Sequence, residues 1–119
     1  MAVISVVLPI RTVSEANSRE HWRAKHARSK SQRGIVKMML YNHRKSLKGR
    51  GEYVVTLTRI APRKLDGDNL QRSFKAIRDQ VAEEIGRDDG SDCYGWHYAQ
   101  EQGKPKEYAV RVEVQACAT

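Results

Sequence analysis

Asp66-Gly67-Asp68 sets two carboxylates two residues apart, and Asp88-Asp89 supplies a second acidic pair further along. Eight of the fourteen acidic residues fall between Asp66 and Asp92. If the first loop is extended, both of its side chains point the same way with Cα atoms roughly 6–7 Å apart. That is close enough to share a hard cation. Mg²⁺ takes oxygen ligands and is usually held by one or two carboxylates, with water and phosphate completing its shell. Cleaving a phosphodiester needs an activated water, charge stabilisation at phosphorus and help for the leaving oxygen, all of which carboxylate-held metals supply. Asp66, Asp68, Asp88 and Asp89 are therefore the candidate ligands for Mg²⁺, with Mn²⁺ as a substitute. The plainer alternative is a solvated capping turn, since D-x-D recurs often by chance. An EF-hand is excluded, because Leu70 and Gln71 stand where such a loop needs an acid and a glycine. Glu83 and Glu84 are expected on a solvated helix face, and Asp79 near the surface.

The charge distribution says what those acids would act on. The chain has 119 residues and a formal net charge of +8. Residues 1–65 carry fifteen Lys and Arg against three acids, and the remainder is net acidic. That asymmetry points to a polyanion partner for the first half. An acidic island in a basic protein suits a nuclease, because a bound cation removes the repulsion between carboxylate and phosphate. Arg19, Arg23, Lys25, Arg28, Lys30 and Arg33 crowd one stretch, and Arg63 and Lys64 adjoin the first acidic loop. Trp22 is expected to anchor that basic stretch in the core, with stacking on an unpaired base as the alternative. Two cysteines without CxxC spacing argue against a zinc site or a disulfide framework and suit a reducing cytoplasm. The apolar run at the start is too short to span a bilayer, so neither a membrane nor a small-molecule cofactor is expected.

Several elements must position these groups. Ala2–Ile10 is β-branched and apolar and reads as a buried strand. Arg19 to about Ser46 favours a helix capped by Ser18, with Ile35, Val36, Met39 and Leu40 turned to a core and Gly34 as a point of bending. Glu52–Ile60 alternates as a half-buried strand. Leu70, Phe74, Ile77, Val81 and Ile85 form the stripe of a second helix, capped by Asp68 or Asn69 and ending near Gly86. Gly95–Ala99 and Tyr108–Gln115 are two more strands, joined by a hairpin turn at Gly103-Lys104-Pro105. The expected order is β-α-β-α-β-β. This is a single α+β domain over residues 1–119, with a small, mostly antiparallel sheet covered by two helices.

At this point the chain resembles the RusA-type Holliday junction resolvases, small endonucleases found mostly in phages and prophages. The likeness is carried by Arg63-Lys64-Leu65-Asp66-Gly67-Asp68-Asn69-Leu70, then a helix, then Ile85-Gly86-Arg87-Asp88-Asp89. Thr12–Asn17 and Trp96-His97-Tyr98 with Gln100 are similar to the phage branch. The resemblance implies that Asp66, Asp68 and Asp89 are catalytic and metal-binding, with Asp88 first of the acidic pair. It also implies a homodimer that cuts branched DNA symmetrically, in recombination and repair within a bacterial cytoplasm. The family's usual active-site lysine falls on Arg72, with Lys75 one turn on. Arg72 keeps the charge and can bind phosphate bidentately, but its pKa is too high for a proton donor. Arg19, Arg23, Lys25, Arg28, Lys30, Arg63, Lys64, Asn69 and Lys75 are the candidate DNA contacts. From a different class stands a non-catalytic basic module that binds DNA or RNA, whose metal site is absent or decayed.

Overall fold

A computed structural model describes residues 3–13, 22–43, 53–85 and 94–116. They form one α+β domain with strand β1 (Val3–Leu8), helix α1 (Trp22–Leu40), β2 (Tyr53–Ala61), α2 (Gly67–Ser73), α3 (Lys75–Ile85), β3 (Tyr94–Gln102) and β4 (Ala109–Ala116). The sheet has four strands in the order β1-β4-β2-β3. Two ladders are antiparallel, β1 with β4 and β2 with β4, while β2 and β3 run parallel. The expected mostly antiparallel sheet is therefore present, with one parallel pair. β3 and β4 are not a hairpin, contrary to expectation. Their connection steps over the end of β2, where the Gly103 N–H donates to the Ala61 carbonyl at 2.9 Å. Lys106 turns this corner with a positive φ of 65°.

Period-two alternation gives the sheet one apolar face. Tyr53, Val55 and Leu57 from β2 join Val110, Val112 and Val114 from β4 and Leu8 from β1 in the core. The helices cover this face. Val36 and Leu40 of α1 and Leu70, Phe74, Ile77, Val81 and Ile85 of α2 and α3 complete it. α1 runs unbroken through Gly34, so the glycine does not divide it. The opposite face is more open, and there Arg111 holds Glu101 through two hydrogen bonds of 2.7 and 3.0 Å.

The second helix is not one piece. At Phe74 the chain adopts φ −96° and ψ 0°, and the Phe74 N–H donates to the Gln71 carbonyl at 3.1 Å. A bond to the third residue back tightens the turn. The Ser73 hydroxyl adds to this by donating to the Leu70 carbonyl at 2.7 Å, competing with the regular ladder. The break keeps the stripe on the core. The fully buried Phe74 ring stacks on Tyr98 with centroids 5.9 Å apart. Three helices therefore cover the sheet where two are expected.

Two side chains sit opposite to expectation. Trp22 is 64% exposed, so it does not anchor α1; Arg23 lies over its ring at 5.4 Å. Glu84 is 1% exposed rather than solvated, and the Gln80 amide donates to it at 3.2 Å. The α3 face that reads as polar in sequence is the one turned toward α1. Arg33 of α1 reaches across it to Gln80 at 3.0 Å and Glu83 at 2.7 Å. No helix among the described residues is long and apolar enough to cross a membrane.

Candidate active site

Asp66 ends the segment that leaves β2, and two core-face side chains fix that segment from below. Gln100 of β3 holds Leu65 on both sides: it accepts from the Leu65 N–H at 2.8 Å and donates to the Leu65 carbonyl at 2.8 Å. Arg59 of β2 donates to the Arg63 carbonyl through Nη1. With its backbone tied at residues 63 and 65, the turn presents Asp66 and Asp68 to solvent, and both are exposed.

The turn is not extended through Asp68. Asp66 is the N-cap of α2, with φ −69° and ψ 166°, and its Oδ1 accepts from the Asn69 N–H at 3.0 Å. Neither Asp68 nor Asn69 caps this helix, which begins at Gly67. Asp68 is already helical, and side chains two apart on a helix do not face each other. The alignment an extended loop would give is therefore replaced by two diverging carboxylates. The donor chemistry still suits a hard cation. One oxygen of Asp66 and both of Asp68 have no protein partner among the described residues, and their exposure leaves room for the waters that Mg²⁺ retains. Among those residues no three His, Cys, Asp or Glu side chains gather as a metal-holding group. Asp88 and Asp89, the other half of the expected ligand set, lie outside the described residues, as does Arg19.

Two basic clefts flank this turn in the chain. One, of about 470 Å³, lies between α1 and the α2–α3 junction and is lined by Lys25, Gln32, Arg33, Arg72, Lys75 and Asp79, among others. Lys75 pairs with Asp79 at 3.3 Å and Arg33 with Glu83 at 2.7 Å. Arg72 and Lys25 have no carboxylate partner among the described residues. Gln32, only 6% exposed, lines the same cleft, and its amide nitrogen has no hydrogen-bond partner among the described residues. The other cleft, about 560 Å³, gathers Arg11, Thr12, Arg59, Arg63, Lys64 and Tyr108.

The expected DNA contacts do not share one surface. Lys25 faces the first cleft. Arg23 and Lys30 are exposed and lie seven residues apart on one stripe, which is turned well away from Lys25 at about 100° per residue. Arg63 and Lys64 belong to the second cleft and Arg72 and Lys75 to the first, while Asn69 is half-buried on α2 with its N–H on Asp66. His97 is exposed on the sheet's outer face. Arg11, Arg59, Gln32 and Gln100 are the site residues that sequence reasoning missed. Arg59 carried a signal, because it is the one charge in the inward alternation Tyr53, Val55, Leu57, Arg59, Ala61. Compared with known proteins, the chain matches no family model and no curated protein.

Proposed function

We propose that this protein is a divalent-cation-dependent, structure-selective endodeoxyribonuclease of the RusA type, resolving Holliday junctions or related branched DNA by paired nicks. The observation that carries this reading is the exposed Asp66–Asp68 turn, which lies in the chain between two clefts that each gather four cations. Clefts of that charge suit phosphates on either side of the carboxylate pair along the chain. Asp66 and Asp68 would hold Mg²⁺, or Mn²⁺ in its place, with Asp88 and Asp89 as the further ligands of the set. The bound cation supplies an activated water and stabilises charge at phosphorus. Arg72, with no carboxylate partner among the described residues, contacts a phosphate oxygen through its planar fork and does not act as a proton donor. Lys25, Arg63 and Lys64 orient the strand.

A homodimer belongs to the same proposal, since paired nicks need two sites. Met38 and Tyr41, 66% and 62% exposed, line one shallow surface near the end of α1, which we assign to self-association. We place the protein in the cytoplasm of a bacterial host, encoded by a phage or prophage. The second reading, a non-catalytic nucleic-acid-binding module, has one observation in its favour: capping α2 is reason enough for Asp66 to be an aspartate. Strand cleavage on a synthetic four-way junction beside a matched linear duplex separates the two. Symmetric nicks on the junction alone, abolished by EDTA and by Asp68→Asn, are expected. Binding without cutting in Mg²⁺ and Mn²⁺ alike would leave only the binding module.

A further inference from the structure

Arg59 occupies a core-facing position near the end of β2, where its neighbours in the same alternation are Tyr53, Val55 and Leu57. It is 7% exposed, yet no carboxylate among the described residues pairs with it. Its Nε donates to Thr12 Oγ1 at 2.9 Å and its Nη1 to the Arg63 carbonyl. A guanidinium carries five N–H donors, and the bonds it makes among the described residues use two of them. Burying a cation against neutral acceptors alone is costly. Burial pushes the Arg59 pKa below the usual guanidinium value; Tyr108 opposes the shift and Arg11 adds to it. The surroundings deepen the problem. Arg11, Arg63 and Lys64 line the same cleft, and among the described residues no Asp or Glu does.

One ligand class relieves all four charges. A carboxylate is planar and is satisfied by a single arginine fork, whereas a phosphate offers oxygens in several directions and takes donors from several side chains. We infer that the cleft between the β1–α1 connection and the end of β2 binds a phosphate group, with Arg59 at its floor and Arg11, Arg63 and Lys64 around its mouth. The Thr12 hydroxyl fixes the Arg59 fork from behind. Arg11 lies 4.2 Å over the Tyr108 ring, which holds its charge beside the cleft before any ligand arrives. The site does not require the aspartates, so it binds with no metal present. If the ligand is DNA, this phosphate is a neighbour of the one cut, because the cleft ends at Leu65, before the carboxylates.

The test uses the full chain in EDTA, with two variants. Arg59→Met removes the buried charge at similar volume, together with its hydrogen bonds to Thr12 and the Arg63 carbonyl. Arg11→Gln alters an exposed residue and guards against misfolding of the first. Binding of labelled duplex and four-way junction is measured by fluorescence anisotropy across a salt series, and inorganic phosphate is titrated against the melting temperature. Each variant is expected to bind DNA about tenfold more weakly, with the slope of log K against log salt reduced by about 0.9 per lost contact. If DNA binding is unchanged but phosphate raises the melting temperature of the wild type and not of Arg59→Met, the cleft takes free phosphate instead. Unchanged DNA affinity and slope in both variants, together with no phosphate shift in the wild type, would overturn the inference. A chain that shows these losses yet cuts nothing keeps the phosphate site and loses the nuclease reading.

Discussion

Replacing Gln100 with Ala removes both hydrogen bonds to the Leu65 backbone, each 2.8 Å long. A neutral hydrogen bond contributes about 0.5–1.5 kcal/mol net, and a buried group left without a partner costs somewhat more. Leu65 is half-buried, so its freed N–H and carbonyl recover part of their hydration, and the loss comes to about 2 kcal/mol. At roughly 2.1 cal/mol/K per residue, a chain of this length unfolds with an entropy near 0.25 kcal/mol/K, and the melting temperature falls by about 8 °C. Gln100→Glu is the sharper variant. Its carboxylate still accepts from the Leu65 N–H but offers the Leu65 carbonyl only another acceptor, so its loss should be at least as large. Thermal and urea unfolding followed by circular dichroism give the stability, and hydrogen exchange at the Leu65 amide reports the contact itself. A loss below about 0.5 kcal/mol in both variants, with unchanged exchange at Leu65, would show that Gln100 does not secure the turn beneath Asp66.

Three further perturbations probe separate parts of the molecule. Asp66→Asn should leave the melting temperature nearly unchanged, because Asn caps a helix as well as Asp, while Asp66→Ala should cost about 1 kcal/mol; calorimetric Mg²⁺ binding lost in both would assign the metal to Asp66 independently of its cap. Trp22→Ala should change unfolding free energy by less than about 0.5 kcal/mol because the ring is on the surface, and a loss of about 1–3 kcal/mol in binding to single-stranded or junction DNA would show stacking on a base. Glu101 should titrate below the usual carboxylate range because the Arg111 hydrogen bonds favour its charged form. Its folded pKa is thus below its unfolded one, so its stabilising contribution is complete above the unfolded value and disappears as pH falls through the folded value; side-chain NMR titration should find the midpoint back in the ordinary range in Arg111→Gln.

The strands were legible in the chain because β-branched residues at period two leave little choice: Tyr53, Val55 and Leu57, and Val110, Val112 and Val114, face the core as their alternation requires. Their neighbours were not legible. Pairing β4 between β1 and β2 is a long-range choice, and a Gly-Lys-Pro turn between consecutive strands reads the same whether or not those strands touch. The break at Phe74 was hidden for a related reason, since a stripe at helical spacing survives a single tightened turn. Glu84 misled because α1 covers a face of α3 that is polar in sequence, with Arg33 and Gln80 providing the polar contacts. Around the site, spacing singled out Asp66 and Asp68 as candidates but not the backbone they sit on, because the local competition between an extended loop and a capped helix is decided by the Asn69 N–H. Arg59 was overlooked because the inward phase was read only as far as Leu57, although the same alternation places residue 59 on the core face.

The sheet order bears on how the protein is made. β4 lies between β1 and β2, with Val6 opposite Val112 on one side and Leu57 opposite Val112 on the other. It is also the last strand of the sheet to leave a ribosome. Until it emerges, β1 has no strand partner in the sheet and β2 has only β3, so a nascent chain can assemble the β2–α2–α3–β3 unit but must keep its apolar β1 strand waiting until residues 109–116 are made. A release that came before residue 109 would leave that strand unpaired, an open template for another chain. The turn bearing Asp66, by contrast, is secured as soon as Gln100 is in place, so the candidate site can take shape before the sheet around it is complete.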